Sequence, residues 1–232
     1  MVKKPIILLF GASSGIASEL IKFFKKKFII YAFYNQKKIT SKLKLKKIKL
    51  NLLRNDEIST KLKKLSLKSQ KITIINFASI KIDKLSFNIN NKNLKQTFQI
   101  NTFSFFKILQ ILLPIMMKSK WGRVIDISST GGLAGEKGTL LYSASKNASL
   151  SMMKVLSQEY GAFNITFNSL LLGNFDVGLF KLLKQDIKNE ILKKIPSKKT
   201  GNIINIYNAI KFLINSDYVN GSSIKIDGGY QK

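Results

Sequence analysis

The sequence contains no cysteine and no histidine. Their absence excludes disulfide bonds, metal sites that depend on thiolate or imidazole ligands, and every catalytic triad built on histidine. We therefore predict no metal centre. A chain without cysteine also suits a reducing compartment, so we expect a cytoplasmic location.

Acidic residues are scarce: 12 Asp and Glu stand against 40 Lys and Arg, which gives a formal net charge of +28. Such a charge ordinarily indicates nucleic acid or an anionic surface as the partner. Here the lysines alternate with Ile, Leu, Phe and Asn along the whole chain instead of forming blocks. We therefore do not expect a nucleic acid partner.

The chain also lacks the roughly 20 consecutive apolar residues that a membrane-spanning helix needs. Its longest apolar stretch, residues 102–117, is interrupted by Lys107, Gln110 and Pro114 and is predicted to be a buried helix. The apolar run at residues 6–10 is too short for the core of a signal peptide. We expect neither membrane insertion nor export.

What the sequence does contain is a regular alternation of short β-rich runs and longer helical patterns. This alternation is typical of an α/β domain whose parallel sheet carries helices on both faces. The 232 residues, 45% of them hydrophobic, suit a single doubly wound domain over residues 1–232. Strands are predicted at residues 6–10, 28–34, 48–52, 72–77 and 122–128, and helices at residues 56–67 and 93–117.

Gly11 and Gly15 lie between the first predicted strand and a helical apolar pattern. Free backbone N–H groups and the helix dipole at such a turn attract an anion. The turn therefore predicts a dinucleotide phosphate site.

The second predicted strand ends without the acidic residue that would hold the ribose 2′-hydroxyl of NAD, about 20 positions past the glycines. Tyr34 stands at that distance instead, followed by Asn35, Lys37 and Lys38. These side chains suit a 2′-phosphate, so NADP(H) is favoured over NAD(H). The alternative is that both lysines are merely solvated.

Tyr142 and Lys146 lie one turn apart if Tyr142 opens a helix, so an ammonium group can lie beneath a phenol. A neighbouring cation lowers the pKa of a tyrosine, and Ser129, after the fifth predicted strand, can hold the same substrate oxygen. These residues predict proton exchange with an alcohol or a carbonyl, although Tyr-x-x-x-Lys also occurs as an exposed pair. Asn101, inside the predicted helix at residues 93–117, is expected to cap or bend it.

Taken together, these motifs resemble the classical branch of the short-chain dehydrogenase/reductase family over nearly the whole chain. The glycine turn, Asn76 after the fourth strand and the spacing from Ser129 to Tyr142 (142 − 129 = 13) match the family pattern. The resemblance implies a Rossmann-type sheet of about seven strands and NAD(P)-dependent oxidation or reduction. It assigns catalysis to Asn101, Ser129, Tyr142 and Lys146.

The resemblance also implies a set of cofactor contacts in the turns and strand ends. They are Gly11, Ser13, Ser14, Gly15, Ile16, Tyr34, Asn35, Asn51, Leu52, Asn76, Ala78, Tyr142, Lys146 and Gly173. Residues 168–173 and 220–229 look like the family's cofactor-capping sixth strand and its final strand. The sequence departs from the family pattern, outside the four catalytic positions, at Phe10, Ala17, Asn51, Phe77, Ser79 and Leu172.

Residues 174–199 stand where the family carries its substrate-covering helices. Their apolar residues form an amphipathic, lid-like pattern that suits an acyl chain and equally suits packing. They are Phe175, Leu179, Phe180, Leu182, Leu183, Ile187 and Ile191.

Within the family, residues 122–125 and 195–201 most resemble the 3-oxoacyl-acyl-carrier-protein reductases. This implies NADPH-dependent reduction of a 3-oxoacyl-carrier to its 3-hydroxyacyl form in fatty acid synthesis, with Lys120 near the pocket entrance. The alternatives are a sugar, sugar nucleotide or other small ketone as substrate, or a nucleotide-gated or nucleic-acid-binding module on the same fold. The helices around residues 102–117 and 144–160 resemble those that pair subunits, so we expect a homodimer or homotetramer.

Overall fold

The computed structural model describes residues 4–39, 43, 45–67, 71–177, 180 and 182–230; Leu179 of the predicted lid lies outside them. Its centre is a seven-stranded sheet with the order β3-β2-β1-β4-β5-β6-β7, in which all of these strands pair in parallel. This confirms the predicted doubly wound sheet. The strands are β1 (Ile6–Phe10), β2 (Ile29–Tyr34), β3 (Lys46–Lys49), β4 (Ile72–Asn76), β5 (Gly122–Ser129), β6 (Ile165–Leu172) and β7 (Ser223–Ile226).

Helices cover both faces of this sheet. They are α1 (Gly15–Phe24), α2 (Asn55–Lys63), α3 (Asn91–Phe98), α4 (Ser104–Ser119), α5 (Thr130–Ala134), α6 (Leu140–Tyr160), α7 (Gln185–Lys193) and α8 (Ile203–Asn215). A π-helical segment, Gln99–Phe103, joins α3 to α4. Short 3₁₀ turns lie at Ser86–Asn88 and Gly161–Phe163.

The central strands are buried on both faces, which explains their nearly continuous apolar runs. Successive side chains of a strand point to opposite faces. Val124 of β5 therefore joins a buried cluster with Leu109 of α4 and Met153 of α6. Its neighbour Ile125 joins a second cluster, on the other face, with Ile210 of α8. The sheet thus has an α4/α6 face and an α1/α8 face.

The third strand differs from its prediction at residues 48–52, because β3 begins and ends earlier. It is an edge strand that pairs only with β2, so its lysines can face solvent. The Nζ atom of Lys46 lies 4.6 Å from the centre of the Tyr31 ring. Leu50 and Leu52 follow the strand and line a cleft beside it.

The continuous helix from Asn91 to Ser119 is the one described segment that is long and apolar enough to cross a membrane, and half of its most apolar window is buried in the domain. Phe105, Ile108 and Leu112 lie in the cluster that packs on the α4/α6 face. The segment serves as a core helix of this fold, in agreement with the predicted buried helix.

Candidate active site

The glycine turn brings the carboxyl ends of β1 and β4 together where the strand order reverses. Gly11 has a φ of +72°, and a Cβ atom there would lie 2.6 Å from the Ala78 nitrogen. The Ser14 hydroxyl caps α1 by accepting from the Ala17 N–H at 3.2 Å. Parallel α/β sheets bind dinucleotides at such a switch point, and a backbone cradle that a side chain would fill fits a pyrophosphate.

A cleft runs from this turn along the ends of β2 and β4. Seven of the predicted cofactor contacts line it, namely Gly11, Ser13, Ser14, Tyr34, Asn35, Leu52 and Ala78. Lys37 lines the cleft as well, whereas Lys38 does not. The structure therefore brings one of the two candidate phosphate-binding lysines to the position that the prediction requires.

Two aromatic residues that were not predicted as contacts form the floor of this cleft. Phe10 and Phe33 are cross-strand partners in β1 and β2, and their rings stack with centroids 4.4 Å apart at an interplanar angle of 7°. Phe10 stands where the family has a threonine. The stacked pair accommodates this departure by packing, and it gives the cleft an apolar base.

Asn51 does not line this cleft, although it was predicted to contact the cofactor. Its side-chain oxygen accepts from the Leu53 N–H at 3.0 Å, and its own N–H donates to Glu57 at 3.1 Å. The residue closes the turn between β3 and α2. Its oxygen is committed to that turn because the chain must reverse there.

A second cleft continues towards the carboxyl ends of β5 and β6. The predicted residues along it are Ser14, Gly15, Ile16, Ser129, Tyr142 and Gly173. At Gly173, an added Cβ atom would lie 2.7 Å from the Cα of Asp227, so the turn after β6 depends on glycine. The structure thus gathers the glycine turn, the serine and the tyrosine around one continuous groove.

Tyr142 lies in the first turn of α6, as predicted, and faces Ser129 at the end of β5. Burial raises the pKa of the Tyr142 phenol, the nearby Ser129 hydroxyl lowers it, and the negative charge of Asp126 raises it. The net direction is upward. The expected lowering by Lys146 is therefore wrong in this structure.

The reason lies in the direction of the Lys146 side chain. Only 2% of Lys146 is exposed, and its Nζ donates to the Ile127 carbonyl of β5 at 2.7 Å. Burial lowers the pKa of Lys146, while Asp126 raises it. The ammonium group is bonded to the sheet, and it acts on the buried carboxyl group of Asp126 more strongly than on the phenol.

Asn101 lies in the π-helical segment, where it is completely buried. Its side-chain oxygen accepts from the Ile80 N–H at 2.8 Å, and its amide nitrogen donates to the Ile80 carbonyl at 2.9 Å and to the Ser145 hydroxyl at 2.9 Å. Ser145 in turn donates to the Tyr142 carbonyl at 2.9 Å. Asn101 thus occupies a helix irregularity, as expected, and fixes α6 beside the catalytic candidates.

Asn76 is buried beneath the cleft instead of lining it. Its oxygen accepts from the Ala78 N–H at 3.1 Å, and its amide nitrogen donates to Asp126 at 2.9 Å. It shapes the turn after β4. Asp126 was missed in the sequence, although a single acidic residue inside the apolar run of residues 122–128 is a usable signal, because a buried carboxylate requires partners.

In the structure of this chain, Lys120 lies at the opposite end of β5 from the groove. It occupies a left-handed turn between α4 and β5, with a φ of +46°. The eight residues of β5 separate it from the catalytic edge, a distance of about 26 Å at the usual rise per residue. The expected place near the pocket entrance of the same chain is wrong, because the lysine precedes the strand that Ser129 ends.

Among the described residues of the predicted lid there is one regular helix, α7, whose residues are all at least partly exposed. Phe175, by contrast, is buried and bridges to Gly201. Phe180 lines the second cleft, whereas Leu182 is largely exposed. The apolar pattern of this region therefore serves both packing and the groove.

Known proteins are similar to this chain in sequence and in architecture. The chain is 33% identical to the 3-oxoacyl-[acyl-carrier-protein] reductase FabG of Buchnera aphidicola over 183 residues, which cover 78% of the chain and 75% of that protein. It is 30% identical to nodulation protein G of Azospirillum brasilense over 158 residues, which cover 67% of the chain and 64% of that protein.

A solved structure described as ElxO with NADP bound superposes with a TM-score of 0.87 and 20% identity, covering 98% of this chain and 99% of that one. At that identity it shows the fold alone. The family model for short chain dehydrogenases matches residues 5–188, most of the chain. The protein therefore belongs to the short-chain dehydrogenase family and is an NAD(P)-dependent oxidoreductase acting on CH–OH or carbonyl groups.

Proposed function

We propose that the protein is an NADPH-dependent reductase of 3-oxoacyl groups carried on an acyl carrier protein. The observation that carries this proposal is the placement of Ser129 and Tyr142 together along the cleft that the glycine turn also lines, with the serine hydroxyl acting on the phenol. The similarity of the chain to FabG of Buchnera aphidicola supports the choice of substrate. A keto-sugar or sugar-nucleotide reductase remains the alternative, because the same four residues would serve it.

Three side chains share the chemistry in this proposal. NADPH, when bound, supplies the hydride that the carbonyl carbon receives. The Ser129 hydroxyl holds the carbonyl oxygen, and the Tyr142 phenol gives that oxygen its proton, so that the carbonyl becomes an alcohol. A tyrosine phenol is protonated at neutral pH, and burial raises the pKa of Tyr142 further, so the residue stays in the form that reduction needs. Lys146 would hold the nicotinamide ribose.

We expect Lys37 to set the preference for NADP(H). Lys37→Ala should weaken NADPH binding by roughly 10-fold or more, the usual worth of a charge-assisted hydrogen bond, and leave NADH binding nearly unchanged. Lys38→Ala is the matched control, because Lys38 does not line the cleft. Calorimetric titration of both nucleotides measures the effect. Equal NADPH and NADH affinities in the unmodified protein would show that Lys37 is only solvated.

Reduction of an acetoacetyl-carrier should be much faster than that of a free acetoacetyl thioester. Carrier proteins are acidic, and a chain of net charge +28 attracts them during encounter. The advantage should shrink as salt screens the surface charges, whose range at 0.1 M is about 10 Å. Initial rates with NADPH, the two acetoacetyl substrates and a panel of keto-sugar nucleotides decide the question. Preference for a sugar nucleotide would favour the alternative.

The outer faces of α4 and α6 support a homodimer or homotetramer, which we propose as the assembly. Phe106 and Val155 are exposed there, beside a groove that Pro114, Met117 and Met152 also line. Exposed apolar surface of this kind marks a contact with another protein. The cytoplasmic location stays a prediction.

A further inference from the structure

Asp126 is a fully buried acidic residue in the middle of the sheet, with 0% of its surface exposed. It lies in β5 on the α4/α6 face, because Val124, two positions earlier, points to that face. Its direct cross-strand partners are Asn76 in β4 and Ser169 in β6. Three polar side chains therefore form a row across the central strands, beneath α6.

One carboxylate oxygen of Asp126 is well held, since the Asn76 amide donates to it at 2.9 Å. The other oxygen has no hydrogen-bond partner among the residues that the structure describes. The Ser149 hydroxyl acts on this carboxyl group from α6, at a geometry outside strict hydrogen bonding. Lys146, one turn earlier on the same helix, donates through Nζ to the carbonyl of Ile127, the residue next to Asp126, at 2.7 Å, and is the buried cation that acts on this carboxyl group.

A carboxylate and an ammonium buried in one region are each costly alone and stabilise each other as a pair. We propose that Asp126 is the buried counter-ion of Lys146, a positioning residue that keeps Lys146 and Tyr142 protonated for reduction. This inference rests on the proposed roles of Tyr142 and Lys146. A strand residue below the groove, Asp126, would then help to set the protonation of the two side chains Lys146 and Tyr142.

The electrostatic directions agree with this role. The negative charge of Asp126 raises the pKa of Lys146 and also raises the pKa of Tyr142. Burial is the largest effect on both groups: it raises the pKa of Asp126 and lowers the pKa of Lys146, and the attraction between the two groups opposes both shifts. The carboxylate therefore opposes the loss of either proton.

The surroundings of Asp126 contain no other charged group in the described part of the chain that acts on it. From β4 and β6 it faces the Asn76 amide and the Ser169 hydroxyl, and α4 contributes apolar residues such as Leu109 to this face. The charge relation is thus confined to one strand and one helix.

Asp126→Asn removes the charge and keeps the shape of the side chain. In this variant, the alkaline limb of kcat/KM for carbonyl reduction should move to lower pH by about 1 unit or more, the usual effect of a nearby buried charge. The direction is fixed, because removal of Asp126 lowers the pKa values of both Lys146 and Tyr142. Ser169→Ala is the matched control; it removes a polar neighbour without a charge and should leave the limb in place.

A second readout does not depend on turnover. NMR of protein labelled with ¹³C at the lysine Cε, with the Lys146 signal assigned through Lys146→Arg, should show Lys146 losing its proton at lower pH in Asp126→Asn than in the unmodified protein. If Asp126→Asn does not fold, Asp126→Thr replaces it with the same expected shifts.

The outcomes separate the two proposals. An unmoved alkaline limb and an unmoved Lys146 titration in a folded Asp126 variant would overturn the counter-ion inference and leave the proposed function standing. Full activity in Tyr142→Phe would instead overturn the proposed function, and the Lys146 titration would still decide whether Asp126 is its counter-ion.

Discussion

Tyr142→Phe should lower kcat for carbonyl reduction by about 10²–10⁴-fold, the usual contribution of a positioned general acid. The substitution keeps the ring in the first turn of α6 and removes the hydroxyl that, in the proposed function, gives the substrate oxygen its proton. Because Ser129 still holds that oxygen, KM should change much less than kcat. Steady-state kinetics with NADPH and an acetoacetyl thioester measure both constants.

Tyr218→Phe is the matched control for this change, since Tyr218 is 100% exposed. Tyr218→Phe removes the same hydroxyl group from a fully exposed side chain and should therefore keep full activity. The affinity of Tyr142→Phe for NADPH should also stay close to that of the unmodified protein. Turnover in Tyr142→Phe within a factor of about three of the control would contradict an acid role worth even ~10²-fold.

Gly11→Ala should destabilise the protein by more than about 3 kcal/mol, from a left-handed backbone and from overlap with packed atoms. The new methyl group would lie 2.6 Å from the Ala78 nitrogen and 2.7 Å from the Phe77 carbonyl carbon. These are backbone atoms of the strand end next to the turn, which cannot rotate away. For a chain of this size, thermal unfolding should begin about 6–12 °C lower.

The chain offers a control that separates the two causes. Gly135 has nearly the same φ, +70°, and an added Cβ atom there meets nothing within 4 Å. Gly135→Ala should therefore show only the backbone cost, about 1–2 kcal/mol. Equal losses in the two variants would mean that the turn can move away from β4. In that event Gly11→Ala should also keep its affinity for NADPH, which we otherwise expect it to lose.

The sequence was sufficient to predict the sheet, because its strands are short apolar runs and its helices have a clear apolar side. The glycine turn and the spacing from Ser129 to Tyr142 could be predicted for a similar reason. Each of these two motifs is defined by residues that are close together in the sequence. The structure brings these elements together in one groove, as predicted.

Contacts across the sheet could not be predicted in the same way. Helical spacing places Lys146 one turn from Tyr142, yet it does not reveal that a carbonyl of β5 and the Asp126 carboxyl group lie closer to the ammonium. Asn51 illustrates the same limit, because its own turn competes for its oxygen. Lys120 was placed by similarity to relatives, and only strand direction shows which edge it occupies.

Because of the π-helical segment Gln99–Phe103, the number of residues between α3 and α4 is constrained as strictly as their identity. Segments of this kind carry one residue more than an α-helix of the same rise, and each residue turns a helix by about 100°. A one-residue deletion between α3 and α4 would therefore rotate everything on one side of it relative to the other. An alignment that treats residues 91–119 as a uniform helix would shift the register of this stretch. In residues 91–119, an alignment of homologues should therefore be anchored on Asn101, whose side-chain amide bonds both Ile80 and Ser145. Helical periodicity is a poorer guide there.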